Sequence, residues 1–565
     1  MNNYLLTLNR EYKCIDIVFD KNINTTRLKV IEDEHAFMLI DGYFTNAKEF
    51  IKNNSSVKNI EIEQLLFKLS KINFYHYGQL DGSFNIFFFE KKKNYFVYTN
   101  DFWSSRPTYI HKTKNNYLFS NDLYFFKKHI KSELTPNLKK IKEFLAWQHV
   151  ESKSTYYNEI DKLAPGIVLK ITSNQIEETS LNIIDSHRKF AKYDLENFRK
   201  TFESAVSKRA SHFKKIMLML SGGLDSSAVA VALKNNSYND AETISVNYSH
   251  LTEFPETDER KYQDIVSSFT NFNNNHIEMA NKSVLSDIEK YVHIFQEPMI
   301  VPNLYIFEAI CKNLASTNID AVFDGNDGDN VISYGFESIY QQFVNLDFIS
   351  FLNSVFDYAE VHTKSRRKML NYFMRNSLKK LIRYKGKMKN NSLLKEEIFK
   401  NTEKNIPPNL FESHESRLKN NLQYVAFSNR HKIFGKFGIE TVSPFYDKDL
   451  INFCVKMPSD CKFNKGFTRY IQRDYLSRYL GKEHGFRPNK SNLAKGLESN
   501  FSNSDIQLVI KEMENLNTQL LEMIDLKKLD AICNKYIKKN TIKEEDIINL
   551  QIFLNTNIFL NSFFK

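Results

Sequence analysis

The segment Ile216–Leu233, IMLMLSGGLDSSAVAVAL, constrains this chain more than any other. Ile216–Leu220 is a continuous apolar run of strand length, the pattern of a parallel strand buried on both faces. Ser221, Gly222, Gly223, Leu224, Asp225, Ser226 and Ser227 follow, and then an Ala/Val/Leu helix. A strand that turns through glycines into a helix N-terminus makes an anion cradle. The glycines let backbone N–H groups close on phosphate oxygens, the serine hydroxyls donate hydrogen bonds, and the helix dipole favours negative charge. The Asp225 carboxylate would repel a phosphate in direct contact but suits a Mg²⁺ that bridges phosphates. The loop is not GxxxxGK[ST] and has no equivalent of its lysine. Only 16 of the 565 residues are glycine, roughly 3% where about 7% is usual. Each glycine therefore marks a place where the backbone turns sharply or lies close to a ligand.

A second loop has related chemistry. Asp320–Phe323 reads as a strand, and Asp324-Gly325-Asn326-Asp327-Gly328-Asp329-Asn330 follows it. A second carboxylate is required because one aspartate cannot hold Mg²⁺ against a triphosphate in octahedral geometry. Ile244–Tyr248 reads as the strand between the two loops.

SGGLDSS resembles the pyrophosphate loop of the N-type ATP pyrophosphatases, and the second loop resembles the S-G-E-G-G-D-E metal loop of the asparagine synthetase family. Further family landmarks occur in order: Thr257-Asp258-Glu259, Glu297-Pro298, Ser443-Pro444-Phe445-Tyr446-Asp447, Lys465–Arg473 and Arg487-Pro488-Asn489-Lys490. The resemblance implies that Asp225 and Asp329 are the Mg²⁺ ligands. Residues 221–227, Val246 (adenine contact) and Gly325 would bind ATP, and Lys490 would meet pyrophosphate and stabilise the charge that forms as the acyl-adenylate appears and collapses. Asn326 stands where asparagine synthetases carry glutamate, at a position that varies with substrate. Asp327 replaces a glycine, and Asn330 replaces the final glutamate. Arg469 stands where asparagine synthetases keep lysine and where relatives with other substrates often have arginine. Asn326 and Arg469, with Lys490, are the expected catalytic residues.

Residues 1 to about 185 contain short strand-like runs (Phe84–Phe89, Tyr95–Tyr98, Tyr117–Ser120, Gly166–Ile171), and the polar stretch Ile184–Tyr193 reads as a linker. Asp41-Gly42-Tyr43, Leu80–Phe84, Asn100-Asp101 with Arg106-Pro107, and Leu163–Gly166 resemble the family's glutaminase domain. That domain uses an N-terminal cysteine whose free amine is its base. Here Asn2 follows Met1, Cys14 lies within an apparent strand, and Tyr43 replaces the glutamate of the glutamine pocket. The resemblance implies an α+β, Ntn-hydrolase-like sandwich over 1–190 with a degenerate amidotransferase site. An α/β adenine-nucleotide α-hydrolase-like synthetase domain with a parallel sheet and a helical extension is expected over 195–565.

The net charge of +11 raises the prospect of nucleic acid, but it is local. Lys364–Lys389 holds eleven Lys/Arg and no Asp or Glu, so the rest of the chain is neutral overall. Leu370, Phe373, Leu378 and Leu381 keep a rough helical spacing there, which predicts a solvated helix with one buried face. A docking surface for an acidic peptide, RNA or a membrane is the other reading. The five cysteines form no CxxC pair, which argues against structural zinc, a disulfide framework and thiolation chemistry. The N-terminus has no signal-peptide pattern and no apolar run is long enough to span a bilayer, so a cytoplasmic protein is expected. The expected activity is ATP-dependent amide ligation of a substrate carboxylate, most like lasso-peptide cyclases and β-lactam synthetases. A precursor peptide with a companion protease or leader-binding protein would follow. An asparagine synthetase and a catalytically silent nucleotide-binding scaffold are the alternatives.

Overall fold

The structure is a computed structural model. It describes residues 3–564 except 10–14, 20–26, 58, 94, 131–132, 149–152, 173–174, 183, 186–191, 249–256, 300, 382–389, 403–413, 420 and 489–492. Asn2, Cys14, Asn489 and Lys490, most of the expected linker and the basic residues Arg383–Lys389 lie outside the described residues.

The first 180 residues contain β1 (Tyr4–Asn9), β2 (Ile15–Phe19), β3 (Leu28–Glu32), β4 (Ala36–Phe44), β5 (Gly82–Glu90), β6 (Tyr95–Asn100), β7 (Tyr109–Lys112), β8 (Asn116–Ser120), β9 (Ile160–Lys162), β10 (Ile167–Thr172) and β11 (Ile176–Ser180). They form two antiparallel sheets, ordered β2-β1-β8-β7-β9 and β11-β10-β6-β5-β4-β3. The aromatic run in β5 reflects burial on both faces. Phe87 and Phe89 pack with Tyr4, Leu6 and Phe119 of the facing sheet. Phe84, Ile86 and Phe88 instead pack with Phe50, Leu65 and Leu66, which lie on two helices covering the outer face. Alternation along a strand sends successive side chains to opposite layers. The result is the expected Ntn-hydrolase-like sandwich.

Helix α1 (Leu195–Ala210) leads into a parallel sheet of β12 (Ile216–Met219), β13 (Glu242–Asn247), β14 (Asn274–Glu278), β15 (Ala321–Phe323) and β16 (Glu440–Val442). Its order is β14-β13-β12-β15-β16, with every pair parallel. Ile216 and Leu218 of β12 face one core and Met217 faces another, which explains the unbroken apolar run. Helix α2 (Leu224–Asn235) follows β12, and α3 (Gly328–Ile332) follows β15. The strand order reverses between β12 and β15, and ligands of open parallel sheets bind at such a reversal, beyond the carboxyl ends of the strands.

Three helices continue from this point: α4 (Phe336–Val344), α5 (Phe348–Val361) and α6 (Arg366–Leu381). Short turns make them run up, down and up around a core of Ile339, Tyr340, Phe351, Val355 and Phe373. The expectation for α6 holds only in part. Phe373 is buried and Leu370 half-buried, but Leu378 and Leu381 are exposed. Leu378 lies roughly 140° around the helix from Phe373, and Asn376 and Ser377 occupy the inward face instead.

Helix α7 (Asn421–Gly435) precedes β16, α8 (Tyr470–Gly485) brings the second set of family landmarks back to the sheet, and α9 (Glu544–Phe563) ends the chain. Phe559 of α9 packs edge-on against Tyr156 and Tyr157, which joins the C-terminal helix to the first 180 residues. No described helix is long and apolar enough to cross a membrane.

Candidate active site

The registers Ile216↔Ala321 and Leu218↔Phe323 bring β12 and β15 to the same height, so their following loops emerge side by side. The loops touch through glycine. A Cβ on Gly325 would collide with the backbone of Asp225 and Ser226, and one on Gly328 would collide with the Asp225 carboxylate. Both positions therefore require glycine for close approach rather than for an unusual φ. Within the first loop, the Ser221 N–H donates to Ser226 Oγ at 3.2 Å and the Gly223 N–H donates to Ser221 Oγ at 3.2 Å. Leu224 starts α2 and is buried. Ser227 is fully buried, with its hydroxyl 3.1 Å from His484 Nε2. Val246 lies near the carboxyl end of β13, opposite Ile277.

Arg469, at the N-cap of α8, reaches across this gap. Its Nη1 donates to both carboxylate oxygens of Asp225, each at 2.8 Å. Gln472, one turn on, donates to Asp225 Oδ1 at 2.9 Å. On the other side Tyr334 donates to Asp329 Oδ2 at 2.5 Å and lies beneath the Arg469 guanidinium, 5.7 Å from ring centre to Cζ. Burial acts to lower the Arg469 pKa, but the Asp225 and Asp329 carboxylates outweigh it and hold the group charged. Burial, and then Asp329, push the Tyr334 phenol up, so it stays a donor.

The second loop is held by its own network. The Asn326 N–H donates to Asp324 Oδ1 at 3.0 Å, Ser443 Oγ donates to the same oxygen at 2.6 Å, and Arg430 pairs with Asp324 Oδ2 at 3.3 Å. Asp327 is left-handed at φ 57° and accepts from Asn330 Nδ2 at 2.9 Å and from the Tyr446 hydroxyl. Two departures from the family pattern, Asp327 and Asn330, thus meet beside Tyr446.

A cationic and aromatic wall closes the first loop. Arg487 pairs with Glu259 (2.5 and 3.3 Å) and sits 4.1 Å over the Tyr262 ring. Tyr262 packs edge-on against His484. Arg473 donates to the carbonyls of Thr468 and Arg487, and burial, with repulsion from Arg469 and Arg487, lowers its pKa to about 9. The tertiary structure therefore gathers Ser221–Ser227, Gly325, Asn326, Asp329 and Arg469. It adds Gln472, Tyr334, Tyr446, His484 and Arg473, which sequence reasoning passed over. Gln472 carried one signal, its place one helical turn after Arg469.

Residues 197–560 match the family model for asparagine synthase. The chain belongs to the asparagine synthase family. It is accordingly an ATP-dependent ligase of that family, and amide ligation is its general chemistry. Residues 48–181 match the model for a glutamine amidotransferase domain. No curated protein matches the chain. Among solved structures, the allosteric regulatory enzyme of purine biosynthesis is 8% identical over 49% of this chain and 74% of that chain, with a TM-score of 0.20. Glutamine phosphoribosylpyrophosphate amidotransferase from B. subtilis, complexed with ADP and GMP, is 9% identical over 57% of this chain and 75% of that chain, with a TM-score of 0.22.

The residues present in this asparagine synthase family chain suit a phosphate-bridged Mg²⁺. Asp225 and Asp329 are hard oxygen donors on facing loops, and no group of three or more His, Cys, Asp or Glu suited to a metal occurs among the described residues. An ion there would need phosphate and water as its other ligands, which is how Mg²⁺ is usually held. Arg469 Nε and Gln472 Oε1 are buried beside Asp225 without a hydrogen-bond partner, which leaves a donor and an acceptor for a polyanion and its water.

Proposed function

We propose that this ligase adenylates the carboxylate of a peptide-like substrate at the β12–β15 reversal, with release of pyrophosphate, and joins it to an amine of the same molecule to close a ring. The backbone N–H groups of residues 222–226 and the N-terminus of α2 would hold phosphate. Asp225 and Asp329 would hold Mg²⁺, whose chemistry is to neutralise phosphate charge. The Arg469 guanidinium, paired with Asp225 and with its Nε unpartnered, would face anionic oxygen, and Lys490 is assigned to pyrophosphate by resemblance alone. The amidotransferase-like part would end near residue 190 and the ligase part begin near 195.

One observation carries the ring-closing reading. Tyr43, at the position where the resemblance places the glutamate of a glutamine pocket, is turned against the ligase half, 4.7 Å from the His212 ring and 5.6 Å from Phe213. Its neighbour Asp41 is consumed by Arg106 at 3.0 Å, and Arg106 in turn pairs with Glu440 of β16. With these groups engaged in the interface, little remains to grip a glutamine ammonium or carboxylate, so the amine would come from the substrate. Mg²⁺- and ATP-dependent pyrophosphate release tests this. Release with a peptide carboxylate but not with aspartate is expected; release with aspartate plus ammonium alone would establish an asparagine synthetase instead.

A further inference from the structure

The basic segment has a place in the fold that its sequence did not show. Because α4, α5 and α6 run up, down and up, the α4–α5 turn and the C-terminal end of α6 fall at one end of the three-helix unit. That end carries Leu346 (72% exposed), Phe348, Ile349 (77% exposed), Leu378 and Leu381 (56% exposed). Aliphatic side chains this exposed protrude; they do not line a groove. The opposite end of the unit holds Phe336, stacked on Tyr334 beside Asp329, so the apolar tip stands roughly 14 Å from Phe336, the length of α4.

The charge on α6 runs along the helix, and Arg375 and Lys379 bring it to the half that carries this tip. At 100° per residue, Met374, Leu378 and Leu381 fall on one stripe of the exposed face, while Lys368, Arg375 and Lys379 fall on the next. The segment 364–389 contains no acidic residue. Asp347, exposed within the tip, caps α5 by accepting from the Ser350 N–H, and Glu360 pairs with Arg366 at the far end of the helix. An apolar stripe beside a cationic one, on the exposed side of a helix too polar to cross a bilayer, is the pattern of a helix that lies in a membrane interface. Aliphatic groups enter the acyl boundary there, and Lys/Arg meet anionic headgroups.

We propose that the tip formed by Leu346–Ile349 and the C-terminal half of α6 docks the enzyme on an anionic lipid surface. A groove-bound acidic peptide would need concavity, and RNA would make no use of four protruding aliphatic side chains. The inference does not depend on the substrate proposed above. The patch would hold the ligase at a bilayer whether the amine is internal or free.

Vesicle flotation tests it. Full-length protein is expected to float with vesicles of phosphatidylcholine and phosphatidylglycerol in equal parts and to remain in solution with phosphatidylcholine alone. Flotation should fall as salt is raised. R375E combined with K379E should weaken it at least tenfold, since each cation at a surface contributes about fivefold. I349E, at an exposed first-turn position, should weaken it independently while circular dichroism stays unchanged. Absence of flotation, equal flotation with both vesicles, or indifference to R375E/K379E and I349E would each overturn the proposal. So would a dimer abolished by I349E without flotation, or binding of RNA or poly-glutamate without flotation.

Discussion

Arg469 and Asp225 are 244 residues apart in sequence, yet one guanidinium nitrogen donates to both oxygens of the carboxylate at 2.8 Å. The pair is mostly buried, with Asp225 18% exposed, and Asp329 accepts from Tyr334, whose ring lies under the same guanidinium. Arg469 thus neutralises a carboxylate that a divalent ion would otherwise neutralise.

Removing that cation should therefore be costly, and metal should offset the cost. R469M leaves the Asp225 carboxylate without its cation and is expected to lower the unfolding free energy by about 2 to 3 kcal/mol without metal, somewhat less than a fully buried pair because Asp225 is partly solvated. Millimolar Mg²⁺ should restore most of it. Urea denaturation with and without Mg²⁺ checks this; a loss that Mg²⁺ leaves unchanged would show that no ion binds between the loops.

Asp329 is half-buried and accepts a hydrogen bond from Tyr334. D329N should fold with unchanged thermal stability and lose pyrophosphate release by about 10²- to 10³-fold, the usual loss for one electrostatic element of a phosphoryl site. D225N should behave alike in turnover. Full activity in either variant would remove that residue from the metal assignment.

The Asp327–Tyr446 pair should be coupled. Y446F removes a donor from a buried carboxylate and is expected to cost about 1 to 2 kcal/mol. D327G removes the carboxylate and relieves a left-handed non-glycine residue at once. The double variant should then be no less stable than D327G alone, giving a coupling of about 1 to 2 kcal/mol in a double-mutant cycle. Additive losses would mean that the two residues act separately.

His484 should make the site acid-sensitive. Burial lowers its pKa to about 4, from an unperturbed value of 6.5. The folded state holds it neutral, so the unfolded chain binds the extra proton as pH falls. Its contribution is complete above about pH 6.5 and is lost progressively toward pH 4. Between pH 7 and pH 5 this amounts to about 2 kcal/mol. His76, His414 and His431 are depressed by burial in the same direction, so the comparison that isolates His484 is the pH 7-to-5 difference in H484Q against the parent. An equal difference in both would refute the assignment.

The two glycine loops after β12 and β15 were legible because their signal is local. A buried strand, glycines and a carboxylate follow one another within a dozen residues, and only glycine tolerates the close approach at Gly325 and Gly328. The α6 pattern was legible as a helix but not as a surface. Helical spacing marks which apolar residues share a face, and the position of α4 and α5 determines which face is covered.

What the sequence by itself determined was the pair of glycine loops, the strands that carry them and the sheet-rich first third. The signal for each lies in runs of adjacent residues. The tertiary structure alone decided that Arg469 meets Asp225, that Tyr446 meets Asp327, that Tyr43 turns toward Phe213, and that Leu378 and Leu381 face outward. Each of these is a matter of which distant segment packs where. Burial then decides charge, since the same arginine or histidine is ordinary in water but is held charged or neutral by the partners and the desolvation that folding imposes.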